Sequence, residues 1–399
     1  MGWSEYTGGA LWTYRKLPEP LLSRELNRLS AATTISGAHC VSLQPCPNPE
    51  AASQDRYAVE DWHIGSGNWR FAAIFDGHAG HEMVDHTVQN LPSRVKEALA
   101  ASVGSGDSDI DVRVVSDCIK RAITAFDESV VADLLAIFPG GEEEFSKLSD
   151  GQISEVINSA EHSVKVLRCM RGTTALVTLV DPSNNNLWVA SLGDCQAALG
   201  TRETSGGWKV ELLSTNHNGE DPAEAERIRS EHPGEAECIM RDRVLGAIAI
   251  TRALGDHLYK LPRIYTDRIF LNMKQRFKFS VASVDEILPR NITPPYLSNV
   301  ADIQHVRLAA KDSRDKPEQI LILCSDGLID LYSARMSLQL SAQRWVKAAT
   351  EGTSGEGNAA ARLLRDALGG GDVTAVSKML TVEMTSRWMD DTTIIVQYF

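Results

Sequence analysis

The chain has no C-x-x-C pair and no Cys/His ligand spacing. Its seven cysteines (Cys40, Cys46, Cys118, Cys169, Cys195, Cys238 and Cys324) are scattered and odd in number. That pattern excludes a zinc site of the usual spacing and favours a reducing compartment over a disulfide framework. No apolar run approaches the roughly 18 residues a membrane span needs, so no membrane partner is expected. Residues 1–6 hold no apolar signal-peptide core, and Glu5, Glu19 and Glu25 interrupt the basic residues an organelle presequence would need. Tyr6 stands where myristoylation at Gly2 would want Ser or Thr. The expectation is an intracellular protein, cytoplasmic or nuclear. Basic excess is missing as well. With 40 Lys and Arg against 53 Asp and Glu, the formal charge is −13, which argues against a nucleic-acid partner. There is no Gly-rich phosphate loop and no internal repeat.

What is present is a mixed pattern of 399 residues. Residues 69–75 form a short apolar run that stops at the turn pair Asp76-Gly77. The spacing of Met83, Val84, Val88 and Leu91 predicts a helix from Gly80 onward, and residues 114–137 predict another. Strands are expected at 173–180 and 187–192, joined by the turn residues 181–184 as a hairpin. Asp221-Pro222 predicts a helix start, with the acid at the cap and Pro in the first turn. Residues 320–324 and 392–399 read as strands, and 356–368 as a helix. Residues 1–45 form an N-terminal extension without a clear pattern, and 46–399 read as a single domain. Two stretches, 138–160 and 261–300, lack clear periodicity and read as insertions. Strands with helices but without strict alternation predict a layered fold on largely antiparallel sheets.

The informative pattern is where the aspartates fall. Asp76, Asp194 and Asp326 each follow an apolar strand-like run, and Asp390 precedes the last one. One Asp-Gly after a strand is usually only a turn. Four such acids in separate segments, brought together by adjacent strands, would repel one another unless cations lay between them. Oxygen ligands of this kind select Mg²⁺ or Mn²⁺ over zinc or copper.

In chain order the motifs are Ser53-Gln54-Asp55-Arg56, Phe75-Asp76-Gly77-His78-Ala79-Gly80, Arg171-Gly172-Thr173-Thr174 and Ser191-Leu192-Gly193-Asp194. Thr251-Arg252-Ala253-Leu254-Gly255-Asp256, Ser325-Asp326-Gly327 and Asp390-Asp391-Thr392-Thr393 follow. This ordered series resembles the metal-dependent protein phosphatases of the 2C type across about residues 53–396. Residues 76–80, Glu231-His232-Pro233 and 293–297 look like the pyruvate dehydrogenase phosphatase branch, which is typically mitochondrial.

The resemblance implies an α+β fold: a four-layer αββα sandwich of two mainly antiparallel sheets flanked by helices, with the metal site at one end. It implies hydrolysis of phosphoserine and phosphothreonine in protein substrates, by direct attack of a hydroxide bridging two Mg²⁺ or Mn²⁺ ions. Asp76 matches the bridging ligand, and the Gly77 carbonyl a ligand of the second ion. Asp326 and Asp390 match ligands of the first ion. Asp55 matches the acid that orients metal-bound water, and Asp194 one tied to a weaker third ion. His78 matches the general acid that protonates the leaving oxygen. Arg252, Asp256 and His217 read as structural, and Trp188 as core.

Two positions depart from the family. Gln54 stands where many relatives have Glu, and Glu50 where some have a phosphate-binding Arg, so the residue that steadies the substrate phosphate is unassigned. Three rivals compete. A non-catalytic binding protein on the same fold predicts broken ligands, yet all four aspartates are present. A cysteine phosphatase needs an Arg shortly after the thiolate, and Cys169 is followed too closely by Arg171. A hydrolase for small phosphoesters stays open. Nothing in the sequence sets an oligomeric state.

Overall fold

The computed structural model describes residues 12–103, 111–277, 283–309, 317–332, 336–351 and 357–399. The beginning of the expected 1–45 extension, including Gly2 and Tyr6, and residues 278–282 of the 261–300 stretch lie outside these. Backbone contacts group the chain into two compact units. The first is built from 1–55, 197–213 and 308–399, and the second from 56–196 and 214–307. No helix among the described residues is long and apolar enough to cross a membrane.

The first unit is organised by a six-stranded sheet. Its order is Thr33–Ile35, Ala38–Leu43, Thr392–Tyr398, Gln319–Cys324, Gln196–Arg202 and Trp208–Leu212. Every residue of Gln319–Cys324 is buried. This explains why the segment reads as a continuous apolar run and not as an alternation. Ile320, Ile322, Ile394 and Val396 pack with Trp345 of the helix Leu338–Thr350 and with Leu363 and Leu364 of Ala359–Leu368. Residues 33–43, inside the expected extension, thus supply two strands of this sheet.

The second unit holds a five-stranded antiparallel sheet in the order Asp302–Arg307, Asn186–Leu192, Ala175–Val180, Gly67–Phe75 and Arg56–Ile64. The expected hairpin is its centre. Asp181 caps the turn by accepting the Asn185 and Asn186 N–H groups at 2.8 and 3.0 Å, the local bonding that makes Asp a turn residue. The helices Glu82–Ser102 and Val112–Leu135 cover the sheet, with Leu91, Phe126 and Val130 in its core. Asp221 accepts the Ala223 and Glu224 N–H groups and starts Pro222–Glu231 as expected. The two aperiodic stretches form short helices, among them Asp150–Ile157 and Arg263–Arg268. Phe145, Ile153, Ile157 and Phe270 join the same core.

Two smaller ladders complete this unit. One joins Leu254–Gly255, Gly172–Thr173 and Gly77–His78, and the other joins Ile239–Met240 to Arg243–Val244. The first ladder is only two residues wide, but it sets the backbone around His78.

Trp188 is fully buried and donates its indole N–H to the Val112 carbonyl at 3.2 Å. Trp188→Ala is expected to lower unfolding free energy by about 3–5 kcal/mol. Trp188→Phe, which keeps most of the packing, should lower it by less than half as much. Urea denaturation followed by circular dichroism checks both.

Candidate metal and catalytic centre

In the second unit the chain leaves the end of Gly67–Phe75 at Asp76 and enters the short ladder. Its backbone is held on both sides. The Asp76 N–H donates to Thr174 Oγ1 at 3.1 Å, and the Thr174 N–H donates to the Asp76 carbonyl at 2.9 Å. Gly77 is buried and pairs with Thr173. Asp194 follows Gly193, whose φ of +112° suits only glycine. The Gly193 N–H donates to His217 Nδ1 and its carbonyl accepts the His217 N–H, so the turn is fixed from outside. Asn218 donates to Asp194 Oδ2 at 3.2 Å. Asp76 and Asp194 thereby offer carboxylate oxygens within 4.8 Å of one another.

His78 lies beside these acids, its Nε2 2.6 Å from Asp256 Oδ2. Burial alone would lower the His78 pKa, but the Asp256 charge and hydrogen bond, with Asp194 beyond, outweigh it and raise the net value. A Cβ on Gly172 would sit 2.0 Å from Asp256 Oδ2 and 2.1 Å from His78 Nε2. Only a glycine lets the pair close. Asp256 has φ +52° and donates its N–H to the Arg171 carbonyl. Asp256 therefore does more than anchor a loop. Arg252 is engaged elsewhere, by Glu224 at 2.6 Å and Asp302 at 3.1 Å. His217, fully buried, bridges Gly193 and Asp302.

The first unit carries the other acids. Asp326 opens the helix Asp326–Leu331 directly after the strand Gln319–Cys324 and Ser325. A Cβ on the next residue, Gly327, would lie 2.0 Å from the Asp391 carbonyl, so the helix start and the 390–392 turn pack backbone to backbone. Asp390 accepts the Asp391 N–H at 2.8 Å. Asp391 is buried and accepts from Gln44 Nε2 at 2.8 Å and from the Gln54 N–H at 2.7 Å. Ser325 donates its hydroxyl to Asp55 Oδ2 at 2.7 Å and accepts the Thr393 N–H at 2.9 Å. Asp55 is buried, and its pKa is pushed up to about 7, first by burial and then by the negative charges of Asp391 and Asp390.

Both sets have the chemistry of a hard-cation site. The donors are carboxylate oxygens, and the acid crowding that lifts Asp55 is what a divalent cation would relieve. Sequence reasoning read Asp256 as structural and gave Asp391 no role. Asp391 had a readable signal, the doubled Asp390-Asp391 before a strand. Asp256 had a weaker one, a further Asp after a glycine at the end of a two-residue strand.

Residues 48–372 match the family model described as protein phosphatase 2C. A protein phosphatase 2C homolog of Schizosaccharomyces pombe is 30% identical over 95% of this chain and 84% of its own. The human mitochondrial [pyruvate dehydrogenase [acetyl-transferring]]-phosphatase 2 is 30% identical over 57% of this chain, and the aligned part spans 48% of that protein. A Saccharomyces cerevisiae mitochondrial phosphatase 1 of the same description is 27% identical over 66% of this chain and 42% of its own. The chain thus spans about half the length of these pyruvate dehydrogenase phosphatases. A solved structure of a C. elegans sex determining protein aligns over 92% of this chain and 65% of its own with a TM-score of 0.54 and 17% identity, a likeness of fold alone. The α+β class with antiparallel sheets, expected from the resemblance, is the fold of this family. The chain belongs to the protein phosphatase 2C family and is a Mg²⁺- or Mn²⁺-dependent serine/threonine protein phosphatase.

Proposed function

We propose that the clustered acids of this chain hold the divalent cations for hydrolysis of phosphoserine and phosphothreonine in protein substrates. Asp76 and Gly77 with Asp55, Asp326 and Asp390 would hold two ions, and Asp194 would serve a third. The observation that carries this reading is the pairing of like charges. Asp76 and Asp194 bring carboxylates within 4.8 Å, and Asp55 is lifted to about 7 beside Asp391 and Asp390. Bound cations supply the positive charge that draws water toward ionisation at neutral pH and neutralises a phosphoryl group. The expected domain start at residue 46 falls too late, because Thr33–Ile35 and Ala38–Leu43 are strands of the six-stranded sheet, while 138–160 and 261–300 are read as insertions that shape substrate choice.

The protein's own residues supply the rest. Asp256 holds the Nε2 edge of His78, leaving Nδ1 to deliver a proton to the departing serine or threonine oxygen. The raised pKa favours the charged ring, the form that can donate a proton. Ser325 fixes one oxygen of Asp55 and so orients the acid. The seven cysteines are free and buried, which supports a reducing compartment inside the cell.

Turnover of a phosphothreonine peptide should require added Mn²⁺ or Mg²⁺ and stop with chelator. Asp76→Asn should lower kcat/KM roughly 10³-fold, about 4 kcal/mol of transition-state stabilisation. Undiminished turnover in that variant overturns the metal reading.

Asp55 gives a pH dependence of known sign. Its folded pKa lies above the ordinary 3.8, so the metal-free protein loses stability as pH rises toward about 7. Metal binding must displace that proton, so Mn²⁺ affinity measured by calorimetry should rise between about pH 6 and pH 8, with proton release. Asp55→Asn should flatten both trends.

Gly172→Ala should separate His78 from Asp256. The expected result is a fall in phosphopeptide kcat of about 10²-fold, the scale of lost general acid catalysis, with Mn²⁺ affinity unchanged.

A further inference from the structure

We propose that Asp127, in the interior of the helix Val112–Leu135, is a positioning residue that sets the geometry of the His78–Asp256 pair. The inference rests on the reading of His78 as the general acid. Asp127 is 1% exposed, among Ile123, Phe126 and Val130. A carboxylate there costs several kcal/mol unless every lone pair is engaged. Burial would raise its pKa, but Lys260 and His257 outweigh this and hold it well below the usual range, so it stays charged.

Three of its four partners lie on the segment around the Asp256 turn. Oδ1 accepts the Gly255 N–H at 2.7 Å and lies 3.5 Å from His257 Nε2. Oδ2 accepts from Lys260 Nζ at 2.7 Å and from Asn299 Nδ2 at 3.1 Å. Lys260 in turn donates to the Ala253 carbonyl at 2.8 Å. One buried carboxylate therefore ties residues 253, 255, 257 and 260 around Asp256.

That turn needs tying. Gly255 and Asp256 have φ of +77° and +52°, and a non-glycine residue there persists only where its surroundings dictate it. The Asp256 N–H is fixed by the Arg171 carbonyl at 2.9 Å, so the Gly255 N–H to Asp127 is the second hold on the same turn. Releasing it lets the backbone relax toward extended geometry and draws the Asp256 carboxylate away from Nε2.

In the step this affects, the bond between phosphorus and the threonine oxygen breaks and a water oxygen forms the new one. The leaving oxygen takes the His78 Nδ1 proton, and the proton lost by water restores the ring, giving alcohol and inorganic phosphate. Positional errors near 1 Å in such a donor cost about 10²-fold.

A helix-to-turn brace with no catalytic consequence is the alternative, and leaving-group dependence separates the two. A phosphothreonine leaves as a poor alkoxide and needs the acid; p-nitrophenyl phosphate leaves as a phenolate and needs it far less. Two double variants of the full chain, assayed with Mn²⁺, remove the buried charge pair alike. Asp127→Asn with Lys260→Met keeps an acceptor for the Gly255 N–H, and Asp127→Leu with Lys260→Met does not.

The Leu pair is expected to lose about 30-fold more phosphothreonine turnover than p-nitrophenyl phosphate turnover, in kcat and not in KM, while the Asn pair keeps a ratio near that of the parent. Thermal melts report folding. If the Leu pair does not fold, Asp127→Ser with Lys260→Met, whose hydroxyl falls short of Gly255, gives the same contrast. Equal losses on both substrates in these variants, with the unequal loss retained in His78→Gln, overturn the role of Asp127 alone. Equal losses in His78→Gln overturn the general acid, and this proposal with it.

Discussion

The structure depends on an electrostatic constraint: carboxylates are crowded where burial and like charge both work against ionisation. In the first unit Asp55 has a buried carboxyl near Asp391 and Asp390, and its pKa stands at about 7. A protein selected for stability alone would carry amides at these positions, which hydrogen-bond without repelling. The neighbours hold the acids in place and neutralise them only in part: the Arg387 guanidinium lies 3.7 Å from Asp390 and 3.3 Å from Asp391, and the remaining donors are neutral. Ser325 donates its hydroxyl to Asp55 and is itself held by the Thr393 N–H, and Gln44 and the Gln54 N–H donate to Asp391. Neutral donors fix geometry and leave the charge for a cation to satisfy. In the second unit the Asp76 backbone is clamped by Thr174 in the same manner.

Strand ends are where such acids can be placed. A side chain on the face of a buried strand such as Gln319–Cys324 would meet the core. One or two residues beyond the end, the carboxyl clears the packing while the backbone nearby is still held by the ladder. This is why the acids were legible in the sequence: an apolar run stopping at Asp is a local pattern, and it located Asp76, Asp194, Asp326 and Asp390. The central hairpin and the long helices were legible for a similar reason, since their periodicity extends over several turns or a full strand. What was not legible is non-local. His78 and Asp256 are 178 positions apart, and Asp127 and Gly255 are 128 apart. Asp127 lies inside the predicted helix 114–137, where no local pattern marks its distant partners. The ladder that joins the first pair is two residues wide, too short for any period to mark it.

The aperiodic stretches are a related case. Residues 138–160 contain helices of 5 and 8 residues, and residues 261–277 one of 6. An apolar stripe needs about two turns to declare itself. Yet Phe145, Ile153, Ile157 and Phe270 are all fully buried, and Phe145 stacks edge-on to Tyr265 at 5.4 Å. These segments are anchored parts of a core and not pendant loops. Substrate specificity built on them would thus be carried by a firm surface, with change confined to their exposed residues, because a change at a buried aromatic costs about 3–5 kcal/mol.

The two departures from the family pattern have different weights. Gln54 contributes its backbone N–H to Asp391, which any residue except proline supplies, so that contact survives the loss of a carboxylate. A Glu at this position would add a fourth negative charge to Asp55, Asp390 and Asp391 and push the already raised pKa values of Asp55 and Asp391 up further. Gln54 therefore eases the metal-free state at some expense of cation affinity. Glu50 has no such compensation. It sits in the short turn Pro49–Ala51, its N–H taken by Asn48, and offers a substrate phosphate only repulsion. Arg56 is already held by Asp85 at 2.8 Å. Recruiting it would forfeit a half-buried ion pair worth about 1 kcal/mol, a small cost against a charge-assisted bond to phosphate.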